Sequence, residues 1–258
     1  MAAELECRLG QIEQMIRYAY WNSGRTGIVI GVSGGIDSAV AAAFCCRAID
    51  PKKVLGLSLP SAISNPEDCK DAATLCTQLG MEHKVVSIEP MLEGFRAMTG
   101  YTESRYLTGN LMARIRMTVI YYHSNIDNRL VCGTSNRSEY MLGYCTKFGD
   151  NAADVQPILH LYKDEVYEAA GELNIPDPIV KKAPSAGLWE DQSDEGEIGL
   201  SYVGIDASLR ALELHQWKAT TQTEEKVLAL VKKSEHKRFS APSLLAALQK
   251  QQHIFPGN

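Results

Sequence analysis

The sequence predicts an α/β protein: an open, mostly parallel sheet flanked by helices on both faces, with a helical C-terminal extension. Three observations carry this expectation. Short β-branched runs alternate with longer helix-forming runs through the first half of the chain. A glycine-rich turn, GVSGGIDS, joins the first such strand to the first helix that follows it. Helix-forming runs then dominate the later part, where no comparable strand run is read.

The elements follow in order. Residues 2–22 read as an amphipathic helix, because Leu9, Ile12, Met15 and Ile16 form an apolar stripe at spacings of three and four. TGIVIGVS is a β-branched strand, and SAVAAAFCCRAI is an apolar helix-forming run. KKVLGLSLP repeats the strand pattern, and PEDCKDAATLCTQLG the helix pattern, with acidic residues near its start. HKVVSIEP and NRLVCGTS are the third and fourth strands, separated by a helix over LTGNLMARIRMTVIYYHSN. DEVYEAAGEL and EEKVLALVKKSEH are later helices, and PSLLAALQKQQ is a short final one. Residues 94–106 carry no clear pattern. Residues 176–200 are rich in turn formers and charge, and a loop this long usually has a functional reason. No repeat or linker divides the chain, so one domain over residues 1–258 is expected.

Composition narrows the function. With 45% hydrophobic and 22% charged residues, the 258-residue chain has the mixture of a soluble globular protein and can bury a large core. Its formal charge of −5 gives no electrostatic case for nucleic acid or an anionic membrane as partner, although a local basic pocket for phosphate remains open. The early residues lack the basic start and apolar run of a secretory signal, and no 18-residue apolar segment is present. Seven cysteines, none in a CxxC pair, are expected to be free structural thiols in a reducing cytoplasm. His83, His123, His160, His215 and His253 share no metal-ligand spacing.

The turn is the first candidate site. Its glycines let the backbone curl closely around a ligand, and its amides, backed by the next helix's positive end, suit phosphate oxygens. Ser33 and Ser38 offer hydroxyls, and Asp37 a carboxylate suited to magnesium. A plain strand–helix turn, with Ser or Asp as helix cap, explains the same residues locally. The pattern is neither GxxxxGK[ST] nor GxGxxG, so a phosphate-binding cation must come from elsewhere in the chain.

SGGIDS resembles the phosphate loop of the ATP-pyrophosphatase superfamily, whose members cleave ATP between its α and β phosphates. Narrower motifs follow: Gly109-Asn110-x-x-Ala113-Arg114-x-Arg116, Gly133-Thr134-Ser135-Asn136-x-Ser138-Glu139, Gly143-Tyr144-x-Thr146-Lys147-x-Gly149-Asp150, Pro184-Ser185-Ala186 and His236-Lys237-Arg238. In this order, and over about residues 8–245, they resemble ammonia-dependent NAD synthetase. That family is a homodimer that adenylates the nicotinate carboxylate of deamido-NAD, then replaces AMP with ammonia.

The resemblance implies roles for individual residues. Gly31, Val32, Ser33, Gly34, Gly35, Ile36, Asp37 and Ser38 would bind ATP, with Thr134, Lys163 and Ser185 as further contacts. Asp37 and Glu139 would hold Mg2+, and Lys163 would supply the cation missing from the loop. Arg114, Tyr144, Lys147, Asp154, His236 and Lys237 would bind deamido-NAD, with Arg116 as a neighbouring candidate. Asp150 would orient that substrate or the incoming ammonia, and residues 185–200, with Asp194 and Glu195, would form a mobile cover. Bland alternatives stand beside these roles: a solvated helix position for Glu139, turn or helix caps for Thr134 and Ser185, and packing for Tyr144, Cys45 and Cys46, while Lys181 and Lys182 either approach phosphate during closure or are solvated surface lysines. Trp189 covers a substrate or anchors the loop. Glutamine-dependent relatives carry an extra amidotransferase domain for which this sequence leaves no room, so free or separately delivered ammonia is expected. GMP synthetase, a tRNA-modifying enzyme or a nucleotide-binding regulatory protein without turnover are the alternative readings.

Overall fold

A computed structural model describes residues 2–239 apart from 186, 190 and 191, and also residues 241 and 244, with side chains from residue 8 onward. Helix α1 (Ala2–Ser23) precedes β1 (Gly27–Gly31), α2 (Ile36–Ala48), β2 (Val54–Ser58), α3 (Pro66–Leu79) and β3 (Glu82–Val85). Then come α4 (Glu89–Arg96), α5 (Arg105–Ile126) and β4 (Arg129–Cys132). Helices α6 (Arg137–Leu142), α7 (Lys163–Glu172), α8 (Asp177–Val180), α9 (Asp194–Ile198), α10 (Tyr202–Leu214), α11 (Gln222–Lys233) and α12 (Glu235–Arg238) complete the described part.

The four strands form one sheet in the order β3-β2-β1-β4, and every pairing is parallel. The pleat sends alternate β1 side chains to opposite faces. Ile28 and Ile30 join the core beneath α1, α2, α3 and α7, while Val29 joins the core beneath α4 and α5. Both faces are therefore covered, as parallel sheets require. Helix α2 lies deep in the first core: Ala39 to Cys45 are all buried, and the small alanines admit close neighbours. A third core, built from Tyr202, Ile205, Leu209, Val227 and their neighbours, makes the helical C-terminal extension.

Several expectations change in detail. Leu9, Ile12 and Ile16 are buried as the stripe predicts, but Met15 is 37% exposed, because the buried arc of α1 is narrower than its apolar stripe. Of the patternless stretch 94–106, the first residues end α4, a short helix opened by Glu89-Pro90, and the last begin α5. Helix α10 is absent from the expectation although the sequence carries its signals: Ser201 caps it, ALEL are strong helix formers, and buried Tyr202, Ile205, Leu209 and Leu212 recur at helical spacing. The final helix expected over residues 242–252 falls almost wholly outside the described residues.

Sheet order positions the site. Strand β1 is central, with β2 on one side and β4 on the other, so the connections leaving β1 and β4 diverge. The crevice beyond the strand carboxyl ends at such a switch point is the usual ligand site of an open α/β sheet. GVSGGIDS leaves β1 there, and GTSN leaves β4 beside it.

Candidate active site

The phosphate-loop candidate is held by its own serines. Ser38 Oγ donates to the Gly35 carbonyl at 2.9 Å and accepts from the Ser33 amide at 3.2 Å. Gly35, the N-cap of α2, contributes no side chain, so the first amides of this 13-residue helix have no side-chain cap. Uncapped amides at the positive end of a helix are a site for anions. Gly34 has φ of +80°, and a Cβ there would lie 2.4 Å from the Asp68 carbonyl oxygen. The left-handed turn and the contact with α3 both demand glycine. Asp37 does not act as a cap; it points to a charge cluster.

That cluster gathers three elements. Lys163 opens α7 and is only 2% exposed; its Nζ lies 2.6 Å from Asp37 Oδ2 and 3.3 Å from Glu139 Oε1. Asn136 donates to Asp37 Oδ1 at 2.8 Å and also caps α6, accepting from the Glu139 amide at 2.9 Å. Glu139 is 17% exposed on its side chain, so the solvated-helix reading is replaced by an ion-paired one. The Tyr202 ring from α10 lies 4.9 Å from the Lys163 ammonium. Burial alone would lower the Lys163 pKa, but Asp37 and Glu139 together raise it, so the ammonium stays charged. Burial, followed by the Asp37 charge, pushes the Glu139 carboxyl up to about 8.

These groups line a cavity of about 800 Å³ at the sheet's carboxyl end. Gly31, Val32, Ser33, Gly35, Ile36, Asp37 and Ser38 all face it, while Gly34 turns toward Asp68. Thr134, Glu139, Lys163 and Ser185 line it too. Ala186, the last residue of the Pro184-Ser185-Ala186 motif, lies outside the described residues.

The second-substrate candidates divide. Tyr144, Asp150 and Lys237 line the cavity, as does Arg116. The Lys237 ammonium donates to the Gly143 and Cys145 carbonyls, each at 2.7 Å, and Asp150 Oδ1 accepts from the Thr146 amide at 2.8 Å. Arg114 does not line it: two residues from Arg116 on α5, it points elsewhere and donates to the Lys147 carbonyl at 3.3 Å. Lys147 in turn donates to the His236 carbonyl, and these three sit together beside the cavity. Asp154 is exposed past β4, where its Oδ2 accepts from the Val131 amide at 2.8 Å.

Residues after Ala183 form a strap along the open side. Its base is closed by the Asp194 amide, which donates to the Pro184 carbonyl at 3.1 Å. Leu188 and Trp189 rest on α5 at Gly109, where a Cβ would lie 3.2 Å from Leu188 Cδ1 and 3.4 Å from Trp189 Cζ3. Tyr144 donates to Glu197 at 2.8 Å, and Gln192 donates to the same carboxylate at 3.0 Å. Trp189 is thus an anchor that also faces the cavity. Lys182, just before the strap, is no solvated lysine: it reaches Asp68 at 2.7 Å, Asp71 at 2.6 Å and the Gly34 carbonyl at 3.2 Å. Lys181 pairs with Asp177 on the surface. Cys45 is buried in the core, in accord with packing, and burial raises the Cys46 thiol well above its usual range.

Sequence reasoning missed the partners that hold the cluster. Asn136 was visible in principle, because Asn136-x-x-Glu139 has capping-box spacing. Tyr202 gave no such signal; it is brought in by the packing of α10.

The chain resembles known proteins over most of its length. The family described as NAD synthase matches residues 8–241. An NH(3)-dependent NAD(+) synthetase of Methanoregula boonei is 68% identical over 246 residues, covering 95% of this chain and 99% of that one. An NH3-dependent NAD synthetase from Campylobacter jejuni, solved with nitrate ion, superposes with a TM-score of 0.80 at 34% identity, covering 93% of this chain and 98% of that one. An NMN synthetase from Francisella tularensis superposes with a TM-score of 0.84 at 37% identity, with the same coverage.

Proposed function

The chain belongs to the NAD synthase family and is an ammonia-dependent NAD synthetase, and we propose that Asp37, Glu139 and Lys163 carry the adenylating half of its reaction. The observation that carries this assignment is the convergence of both carboxylates on one buried ammonium beside the phosphate-loop amides. In the proposed first half, the nicotinate carboxylate of deamido-NAD attacks the α-phosphorus of ATP and pyrophosphate leaves. The loop amides and the α2 N-terminus face the phosphates, and Lys163 offsets charge gathering on the leaving group. Ammonia then attacks the acyl-adenylate carbonyl and AMP departs. No protein nucleophile is required, and Ser33 is engaged in shaping the loop.

The carboxylate pair fits Mg2+. Among the described residues no three His, Cys, Asp or Glu side chains gather as an all-protein cage. Two carboxylates completed by substrate phosphates are nevertheless a usual arrangement for this ion. Glu139, raised to about 8 by burial and by Asp37, marks a site short of positive charge. Asp37 and Glu139 would hold magnesium, which would supply positive charge to offset the ATP phosphates.

We further propose a homodimer and assign Arg114, Lys147, Asp154 and His236 to the deamido-NAD portion that extends beyond the cavity. Arg114, Lys147 and His236 are linked by hydrogen bonds next to Lys237, which lines the cavity, and Tyr121, another lining residue, donates to Asp154 at 3.4 Å. No helix among the described residues is long and apolar enough to cross a membrane.

The test is incubation with ATP, magnesium, ammonia and deamido-NAD, following NAD and AMP together. The expected result is one AMP per NAD, and no NAD would overturn the reading. The Francisella resemblance makes the deamidated form of NMN the acceptor to offer in parallel. Faster amidation of that mononucleotide would favour the second reading; turnover with XMP would favour GMP synthesis.

The strap gives a separate prediction. Gly109→Val adds methyl groups where Leu188 and Trp189 already lie within 3.4 Å of a bare Cβ position. The strap should lift, water should reach the acyl-adenylate, and AMP should exceed NAD. NAD formation should fall by about tenfold, equivalent to about 1.4 kcal/mol in barrier. An unchanged AMP:NAD ratio would exclude a water-excluding role for this contact.

A further inference from the structure

The cluster around Lys163 is itself held from behind by the C-terminal extension. Asp206 of α10 is 1% exposed. Its Oδ1 accepts from the Ser138 hydroxyl at 2.5 Å, and its Oδ2 accepts from the Asp164 amide at 3.1 Å. Ser138 Oγ in turn accepts from the Lys163 amide at 3.0 Å. The first two amides of α7 are thus received by a Ser138–Asp206 pair supplied by two other helices. Ser138 is fully buried and adjoins Glu139 in α6; Lys163 begins α7. A carboxylate at a helix's positive end is favourable there.

We propose that Asp206 is a positioning residue for adenylation, acting through Ser138 to keep Glu139 and Lys163 in register with Asp37. The inference rests on the reading of that site given above. Asp206 touches none of the three charged side chains. It ties α6 to α7 at the point where their side chains must converge on one ammonium, so its loss changes the spacing of Glu139 and Lys163.

A neighbouring contact separates positioning from mere docking of helices. Arg210, one turn later on α10, grips Asp164 through two bonds of 2.7 and 2.8 Å without touching Ser138. It keeps α10 on α7 when Asp206 is replaced.

The experiment compares D206A, D206N, S138A, R210A and D206A/S138A in the full-length enzyme, measuring kcat, KM for ATP and Tm. D206A is expected to lose about 10²-fold in kcat, the cost of a small misplacement of reacting groups, with KM for ATP changed less than about threefold. D206N keeps an acceptor for Ser138 and should recover to within about tenfold of wild type. R210A should keep wild-type kcat. The double variant should be no slower than the slower single variant, because both substitutions break one linkage. Full activity in D206A and S138A, multiplicative losses in the double variant, or equal losses in R210A and D206A would each overturn the proposal. If D206A does not fold, S138A decides: its kcat must fall at least about tenfold at unchanged KM, or the linkage has no positioning role. An inactive wild-type enzyme would overturn the reading of the site itself, whereas an active wild type with fully active variants overturns only this inference.

Discussion

Lys163→Met is expected to lower turnover about a thousand-fold while leaving the fold intact. Methionine keeps the buried stem but removes the charge that Asp37 and Glu139 share. Preorganised charges of this kind contribute about 10²–10³-fold each when aimed at the leaving group. At Lys163 the loss falls at the upper end, because the side chain is 2% exposed and water cannot replace it. The two carboxylates left behind are 19% and 17% exposed, enough to take up a proton or hydration and spare the fold. The sign of the pKa shift matters here. The ammonium's pKa is raised, so its contribution is fully present below the unfolded lysine value and fades only as pH rises through the folded one. Loss of activity in wild type near neutral pH is therefore not lysine deprotonation. Single-turnover release of pyrophosphate, with Tm as the control for folding, checks the prediction. Retention of more than a tenth of wild-type turnover would falsify the assigned role.

Glu139→Gln is the second large effect, with turnover falling by about 10²–10³-fold. It carries a second readout that does not depend on activity. Burial and the Asp37 charge raise the Glu139 carboxyl from 4.5 to about 8, against the opposing pull of Lys163. The folded state then binds more protons than the unfolded state between those values, so stability should fall as pH rises across that window. On the proposed reading, binding of magnesium with ATP requires the charged form and should release protons near neutral pH, with the release fading above about pH 8. Calorimetry in two buffers of different ionisation enthalpy measures that release. It should disappear in Glu139→Gln; release of undiminished size would assign the proton to another group.

The legibility of the fold follows from the range of the interactions that make each element. β1, α2, β2 and α3 are visible as runs because neighbouring residues set their backbone preferences. Helix α10 was overlooked because a glycine and β-branched residues in its first turn mask the helix-forming run behind them, although Ser201 caps it and Ile205, Leu209 and Leu212 recur at helical spacing. The site divides in the same way. Gly34 and the serines around it are legible because a left-handed turn and an uncapped helix start are local facts. Arg114 and Arg116 were both open to the same role until the direction of each on α5 put one in the cavity and the other beside it. Lys182 was open to either phosphate or solvent until α3 brought Asp68 and Asp71 to it.

The sequence by itself determined the parallel α/β architecture, the glycine-rich turn after β1 and, through its ordered motifs, the family. Each of these is written in contiguous residues: strand and helix propensity, glycine's freedom at positive φ, amides at a helix start. Only the tertiary structure decided that Asp37, Glu139 and Lys163 meet, that Asn136 and Tyr202 hold them, and that Asp206 stands behind them. Asp37 and Lys163 are 126 residues apart, and no local preference carries a distance across such a span. Sheet order and core packing carry it: β1 and β4 pair side by side, so the turn after one faces the helix after the other. Burial then turns an ordinary lysine and two ordinary carboxylates into a charged site with strong mutual coupling.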